Sequence, residues 1–336
     1  MKKVVITGDS LSYNRYDYDE IPRVNAWDCH IGMGSWSFAL RNKLITGTKC
    51  FQYADGLRFA EPSVADTCDI ADSIFGQRVR TIAPVNGRIH FSAQSDTGML
   101  VFYFQKHPQN GCCFSLSVDG VPIEEPVDTR GDLTRYQGYD LLVVSAPCSR
   151  DRTSHEVVLS DFACDGDPLV TLAGVSGERM EVAITGQGGR TAQFLLENFE
   201  ERIGAYAPDT LILIFGGNDC LVYSVQEYRR YLEELFRKVT DRFPDCRIVT
   251  LTIPPSAYCG ETIFADQEDM DRKQGQYNSA MQEVSRAFGA ISIDTASVFQ
   301  GVLPSVWRYD NVHFTKVGNE MLFRYLCDLL KIEKGA

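Results

Sequence analysis

The sequence has 336 residues, of which 44% are apolar, and a formal net charge of −12. A chain of this length buries a large core, and two or three domains are expected. Its acidic balance offers no basic surface for nucleic acid or an anionic membrane, so we predict neither partner.

The first predicted element is a strand over residues 2–7. Its apolar part, Val4-Val5-Ile6, is followed by Thr7-Gly8-Asp9 and is too short for the hydrophobic region of a signal peptide. The most apolar run of the chain, residues 211–215, is far below the ~18–20 residues of a membrane helix. We therefore predict a cytoplasmic protein without membrane insertion.

Helices and strands alternate at both ends of the chain. Residues 33–44 place Trp36, Leu40 and Leu44 on one face of a helix. After a long gap, strands are predicted over 180–185, 211–215, 248–252 and 290–293, and helices over 191–204, 226–242, 272–288 and 316–330. Short apolar strands separated by amphipathic helices indicate a parallel sheet covered on both faces. The predicted fold is therefore α/β, a three-layer α/β/α unit of flavodoxin-like type.

Residues 61–179 show a different pattern, in which strand-like runs are bounded by Gly, Pro, Asn and Asp and no helix is indicated. The predicted strands cover residues 87–95, 99–105, 113–118, 141–145, 156–159 and 169–172. A structureless loop of this length would be unusual in a compact domain. The pattern predicts an inserted all-β domain, a sandwich or jelly roll, within a discontinuous domain formed by residues 1–60 and 180–336.

The eleven cysteines are scattered and include no Cys-x-x-Cys pair, which agrees with reduced thiols and not with a disulfide framework or a zinc cage. The five histidines are dispersed as well. His155-Glu156 lacks the second histidine of an H-E-x-x-H site. We predict no metal and no other cofactor.

The first of four polar blocks, Gly8-Asp9-Ser10-Leu11, follows the opening strand. A serine at the carboxyl end of a parallel strand lies where open α/β sheets bind ligands. Alone this block is weak evidence, because Gly-Asp-Ser also forms many ordinary turns.

The second block, Gly186-Gln187-Gly188-Gly189-Arg190-Thr191, separates a predicted strand from a predicted helix. Glycines let backbone N–H groups approach a ligand, and the helix start adds positive charge, so the turn suits an oxyanion. Thr191 stands where a dinucleotide-binding fingerprint has its last glycine, which argues against that alternative. A bare glycine turn fits the block equally well.

The third block, Gly216-Gly217-Asn218-Asp219, follows the strand over 211–215. Two glycines permit a tight turn that directs the Asn218 amide towards the same edge of the sheet. The alternative is a plain turn or helix cap, for which Asn and Asp are common.

The fourth block, Asp310-Asn311-Val312-His313-Phe314, precedes the last predicted helix. A carboxylate three residues before an imidazole reaches its Nδ1–H within one turn and leaves Nε2 free to take a proton. An isolated Asp-x-x-His also occurs as a surface turn.

Together the four blocks supply a nucleophile, oxyanion donors, a base and an orienting acid, which are the parts that acyl transfer needs. In order and position they resemble the SGNH (GDSL-type) hydrolase family, whose name records the Ser, Gly, Asn and His of these blocks. The resemblance covers residues 1–60 and 180–336 and not the insertion.

By this resemblance Ser10 is the nucleophile, His313 the general base and Asp310 the orienting acid. The Ser10 N–H, the Gly189 N–H and the Asn218 side chain form the oxyanion hole, with Gly188 in place of Gly189 if the turn is shifted by one residue. The implied activity is that of a serine esterase.

The insertion leaves one question of topology open. If residues 48–54 form the second strand, the insertion leaves from the catalytic edge of the sheet. If residues 180–185 do, it leaves from the opposite edge.

Other hydrolase classes fit the sequence less well. An α/β-hydrolase of the lipase type needs a G-x-S-x-G elbow. The nearest run, residues 174–177, is broken by Glu178.

The substrate is predicted by analogy. The block over 188–191 looks like that of family members that deacetylate sugars, so we expect a short-chain acyl ester, such as an O-acetyl group on a carbohydrate. Arg190 and Trp307 are candidate substrate contacts, whereas Trp27 and Trp36 fit core positions better. The alternatives are a thioesterase or lysophospholipase-type acylhydrolase and a catalytically degenerate glycan-binding protein. The sequence leaves a homo-oligomer open.

Overall fold

A computed structural model describes residues 2–13, 35–60, 80–106, 111–131, 141–164, 166, 168–258, 260, 264–308 and 310–331. The chain divides into two compact units. One, the β-rich unit, spans Asn42–Glu181, and the other, the α/β unit, combines Lys2–Arg41 with Val182–Lys334.

The amino-terminal segment of the α/β unit consists of β1 (Lys2–Gly8), α1 (Ser10–Tyr13) and α2 (Trp36–Thr46). Trp36 and Leu40, predicted to share one helix face, are both fully buried. The Trp36 indole N–H donates a hydrogen bond to the Leu11 carbonyl at 2.8 Å, so α2 packs directly behind the segment that follows β1. Trp27 lies outside the described residues.

Within the described residues, the β-rich unit contains eleven strands in two antiparallel sheets. They are β2 (Gln52–Tyr53), β3 (Arg58–Phe59), β4 (Arg80–Ile82), β5 (Arg88–Gln94), β6 (Met99–Gln105), β7 (Cys113–Val118), β8 (Val121–Pro122), β9 (Val127–Asp128), β10 (Leu141–Pro147), β11 (Ser154–Ala163) and β12 (Val170–Ser176). One sheet has the order β10-β6-β12-β2, with β4 also on β12. The other has the order β3-β5-β11-β7-β8, with β9 also on β7.

Side chains from both sheets fill one core, as in a β-sandwich. Phe102 and Phe104 of β6 pack against Phe91 and Phe114 of the other sheet, with ring centroids 6.4 and 5.4 Å apart. The alternating burial of β5 and β7 gives their sheet an apolar inner face. The prediction of an inserted all-β domain is confirmed.

This unit starts earlier than the predicted insertion over 61–179. Gln52–Tyr53 pairs with β12, and Arg58–Phe59 pairs with β5, which places residues 52–59 in the two sheets of the sandwich. Strands of two residues have no periodicity, so their sequence gives no sign of these pairings.

The carboxyl-terminal segment carries the rest of the α/β unit. Its elements are β13 (Met180–Ile184), α3 (Ala192–Glu197), α4 (Phe199–Arg202), β14 (Thr210–Ile214), α5 (Asp219–Val222), α6 (Val225–Arg242), β15 (Arg247–Leu251), α7 (Gln267–Ala287), β16 (Ile291–Ile293), α8 (Thr295–Val298), α9 (Pro304–Trp307) and α10 (Lys316–Leu329). The predicted helix over 191–204 is interrupted at Asn198, whose side chain donates to the Phe194 carbonyl and ends α3. Helix α7 begins five residues before the predicted 272 because Asp266 caps its amino end by accepting from Asp269 N–H at 2.8 Å.

The sheet of this unit has the order β13-β1-β14-β15-β16, and β1, β14, β15 and β16 run parallel in register. Strand β13, and not residues 48–54, therefore lies beside β1. Val5, Leu211 and Leu213 pack with α6 and α7 on one face, and the alternate residues Ile6 and Ile212 are equally buried on the other. The predicted three-layer α/β/α arrangement is confirmed.

No helix within the described ranges combines the length and apolar composition needed to span a membrane.

Candidate active site

Three of the four polar blocks lie at the carboxyl ends of neighbouring strands, β13, β1 and β14. Gly8 closes β1 with φ +144°, a conformation that favours glycine. The next residue, Asp9, donates its N–H to the Ile214 carbonyl at 3.1 Å, which holds the start of the serine block against the end of β14. Gln187 N–H donates to the Gly8 carbonyl at 3.0 Å and draws the second block to the same place.

The close approach at Gly8 predicts a large effect of a single methyl group. A Cβ at this position would lie 1.8 Å from the Ile214 carbonyl oxygen, so strands β1 and β14 would have to separate. We expect Gly8→Ala to lower the free energy of unfolding by about 3 kcal/mol or more, measured by urea denaturation. Gly275→Ala, where no atom lies within 4 Å of the added Cβ, is the matched control. Equal stability of the two variants would contradict this account of the turn.

Ser10 lies beside His313 and Asp310 although most of the chain separates it from them. Ser10 Oγ lies 2.8 Å from His313 Nε2, and Asp310 Oδ2 lies 2.7 Å from His313 Nδ1. The carboxylate is an acceptor, so the proton on Nδ1 points to Asp310, and Nε2 accepts from the serine hydroxyl. The arrangement can remove a proton from Ser10 as its oxygen attacks.

The fourth block forms this geometry locally. Asp310 Oδ1 accepts hydrogen bonds from the backbone N–H groups of Val312 and His313 at 2.7 and 2.6 Å, so the carboxyl closes a turn that faces the imidazole. Burial raises the pKa of Asp310, but the hydrogen bonds from the His313 side chain and backbone and from Val312 outweigh it and lower the pKa to about 2. Asp310 is therefore ionised at neutral pH and can stabilise an imidazolium.

The predicted oxyanion donors other than Ser10 lie in the turns after β13 and β14, the strands on either side of β1. Gly189, exposed and with φ +73°, lies in the turn after β13, where a Cβ would meet no atom within 4 Å. The N–H groups of Ser10 and Gly189 donate to no acceptor within the described part of the chain. Gly188, the alternative donor, precedes Gly189 in the same turn.

Asn218 lies in the turn after β14 and is half-buried. Its Nδ2 donates to the Arg190 carbonyl at 3.2 Å and lies 3.4 Å from Asp9 Oδ2. Both contacts are long for hydrogen bonds, and they orient the amide between the first and second blocks.

Two buried carboxyl groups beside these donors were not recognised from the sequence. Burial raises the pKa of Asp9 to about 7. Burial, together with repulsion from Asp9, also raises the pKa of Asp219 to about 7. In sequence both residues resemble ordinary polar turn positions, and only their neighbours Ser10 and Asn218 signal that they lie at the site.

The two candidate substrate contacts differ in their exposure. Arg190 is exposed, and its guanidinium lies over the Phe194 ring, 4.6 Å from the centroid. Trp307 is only 2% exposed and stacks on Phe299 with centroids 4.2 Å apart, while Arg308 covers it at 5.2 Å. The expectation that Trp307 binds a sugar is therefore corrected: its ring belongs to the core.

Within the residues that the structure describes, no group of three or more His, Cys, Asp or Glu side chains is arranged to hold a metal ion. The absence of a cofactor stays a prediction.

The family model of GDSL-like lipases and acylhydrolases matches residues 139–321, more than half of the chain. The protein belongs to the GDSL-like lipase/acylhydrolase family, and its reaction class is the hydrolysis of carboxylic esters. No curated protein matches the chain.

Similar solved structures include other esterases. A putative GDSL-like lipase from Parabacteroides merdae is 18% identical, with 46% of this chain and 74% of that chain covered and a TM-score of 0.41. A peptidoglycan O-acetylesterase is 15% identical over 98% of this chain and 91% of that chain, with a TM-score of 0.47. A catalytic mutant of an acetylxylan esterase from Geobacillus stearothermophilus is 21% identical over 46% and 74%, with a TM-score of 0.38.

Proposed function

We propose that the protein is a serine esterase that cleaves a short-chain acyl ester through an acyl-enzyme on Ser10. The observation that carries this proposal is the chain of two short hydrogen bonds, 2.8 Å from Ser10 Oγ to His313 Nε2 and 2.7 Å from His313 Nδ1 to Asp310 Oδ2. A hydroxyl becomes an effective nucleophile at neutral pH when an adjacent base takes its proton, and the base works best when a third group orients it.

The reaction then runs in two half-reactions. Ser10 Oγ bonds to the ester carbonyl carbon as its proton passes to His313 Nε2, and the carbonyl oxygen becomes an oxyanion. The carbon–oxygen bond to the leaving alcohol breaks, and the imidazolium returns the proton to that alcohol. Water repeats the sequence on the acyl-enzyme, with His313 as base, and releases the carboxylic acid and free Ser10.

The oxyanion is stabilised by the Ser10 N–H, the Gly189 N–H and the Asn218 side chain. The two N–H groups have no other acceptor within the described residues. The hydrogen bonds of the Asn218 amide, at 3.2 and 3.4 Å, are long, so a stronger bond to the charged oxygen can replace them.

Asn218→Ala tests this assignment. Loss of one oxyanion donor is expected to lower kcat for p-nitrophenyl acetate by about 10²–10³-fold with little change in KM, because the donor acts on charge that develops in the transition state. Gln226→Ala, which removes an exposed side-chain amide from helix α6, is the matched control. Unchanged turnover of Asn218→Ala would remove this residue from the oxyanion hole.

For the substrate we propose an O-acetyl group on a carbohydrate. The backbone carbonyl of Arg190 accepts a hydrogen bond from Asn218, which places this residue beside the reacting ester. Its exposed guanidinium offers polar contacts for sugar hydroxyls. Release of acetate from acetylated oligosaccharides, measured alongside p-nitrophenyl esters, tests this. Arg190→Gln should raise KM for the sugar acetate and leave KM for p-nitrophenyl acetate unchanged.

One observation favours longer acyl chains. Leu221 and Val222 in α5, directly after the Asn218 turn, are 44% and 65% exposed. In a thioesterase or lysophospholipase-type enzyme these side chains would cover an alkyl chain. A rise in kcat/KM from acetyl to octanoyl esters, lost in Val222→Ser, would select that alternative over the acetylesterase.

A further inference from the structure

Asp9 and Asp219 are buried together beside the oxyanion donors. Asp9 is 2% exposed and Asp219 is fully buried. Acidic side chains are rarely found at such positions unless they are paired or neutral. Neither residue has a part in the two half-reactions described above.

Each carboxyl group connects two of the three turns that carry the donors. Asp219 Oδ1 accepts the Ala192 N–H at 2.8 Å, which ties the end of the second block to the Asn218 turn. Asp9 Oδ1 accepts the Leu11 N–H at 2.9 Å, and its Oδ2 faces Asn218 Nδ2 at 3.4 Å. These hydrogen bonds of the two buried carboxyl groups therefore link the three turns that carry the Ser10, Gly189 and Asn218 donors.

The surroundings of the pair do not support two negative charges. Asp219 Oδ2 is buried and has no hydrogen-bond partner among the described residues. Within the described ranges, the other titratable or charged groups around the pair are His313 before α10, Cys220 on α5, Tyr228 on α6, and Lys273 and Tyr277 on α7. Of these groups, His313 hydrogen-bonds to Asp310, and the Lys273 ammonium pairs with Asp269.

We propose that Asp9 and Asp219 are positioning residues of the oxyanion hole, a buried carboxyl pair that fixes the Gly189 turn and the Asn218 amide and carries at most one negative charge at neutral pH. The proposal rests on the proposed esterase function. A neutral carboxyl keeps its carbonyl oxygen as an acceptor for Ala192 N–H and avoids the desolvation of a second buried charge. The raised pKa values of both residues agree with this charge state.

Two substitutions of Asp219 separate its hydrogen bond from its charge. Asp219→Ala removes the acceptor for Ala192 N–H, and we expect kcat for p-nitrophenyl acetate to fall about 10- to 100-fold with KM within about threefold, because the Gly189 turn shifts relative to Ser10. Asp219→Asn keeps a carbonyl acceptor without charge and should recover most of that loss. Asp241→Ala, an exposed carboxylate on α6, is the matched control. Wild-type kcat in Asp219→Ala, or equal loss in both variants, would overturn the positioning role.

The charge state is measured separately by the pH dependence of stability, which also covers the case in which Asp219→Ala does not fold. Burial raises the pKa of Asp219 in the folded state from 3.8 to about 7. Between these values the folded state binds more protons than the unfolded state, so this group lowers stability as the pH rises through the interval. The urea concentration at the unfolding midpoint of the wild-type protein should decrease as the pH rises from 5 to 8. The decrease should be smaller in Asp219→Asn. Parallel curves for the two proteins would overturn the neutral pair.

Ser10→Ala distinguishes a failure of the esterase mechanism from a failure of the positioning role. If this variant keeps ester hydrolysis, the esterase mechanism on Ser10 fails. If it loses activity while Asp219→Ala keeps full kcat, only the positioning role fails.

Discussion

Ser10→Ala is expected to lower kcat for p-nitrophenyl acetate by at least about 10⁴-fold, to a rate that the oxyanion donors and binding alone can support. The reason is the single hydroxyl 2.8 Å from His313 Nε2: without it no acyl-enzyme forms, and water has to attack the ester directly. Protein stability should change little, because Ser10 is only partly buried and its hydroxyl hydrogen-bonds, among the described residues, to the imidazole alone.

The measurement is a steady-state assay together with labelling by a serine-reactive phosphonate. Wild-type protein should take up one phosphonate on Ser10, and Ser10→Ala none. Ser279→Ala is the matched control, since its hydroxyl bonds to the Gly275 carbonyl within α7. Burst kinetics lost in Ser10→Ala would support the acyl-enzyme, whereas substantial turnover by this variant would mean that another group attacks the ester.

His313→Ala should have an effect of the same order, because the serine hydroxyl then has no base and the leaving alcohol no acid. The two residues act as a unit, so the double variant Ser10→Ala/His313→Ala should be no worse than either single variant. The imidazole side chain is 23% exposed. Added imidazole should therefore reach the vacant position in His313→Ala and restore part of the rate.

His90→Ala is the matched control for this experiment. His90 pairs with Glu156 at 2.7 Å within the β-rich unit, and its loss should leave kcat unchanged. A wild-type rate in His313→Ala would remove the Ser10–His313–Asp310 arrangement from the mechanism.

The sequence predicted the α/β unit well because its pattern is strong and local. Strands such as 211–215 are continuous apolar runs, and amphipathic helices separate them, so burial on both sides of the sheet follows directly. The fourth block is also local: the spacing of Asp310 and His313 is enough to form their hydrogen bond within one turn.

The properties that escaped prediction depend on distant partners. Trp307 is a core residue because Phe299 stacks on its ring and Arg308 packs against it, and nothing in the spacing of these residues reveals these contacts. Asp9 and Asp219 look like solvent-facing turn residues, and their burial arises only when strands β1 and β14 align. The two-residue strands β2 and β3 are defined by partners more than 30 residues away along the chain.

The interruption of the α/β unit has a consequence for biosynthesis. Strand β1 leaves the ribosome before its partners β13 and β14, which are translated only after all the strands of the sandwich. The contiguous sandwich can fold first, while Val4, Val5 and Ile6 remain without strand partners. This nascent, unpaired strand is where we expect a chaperone to act or aggregation to begin.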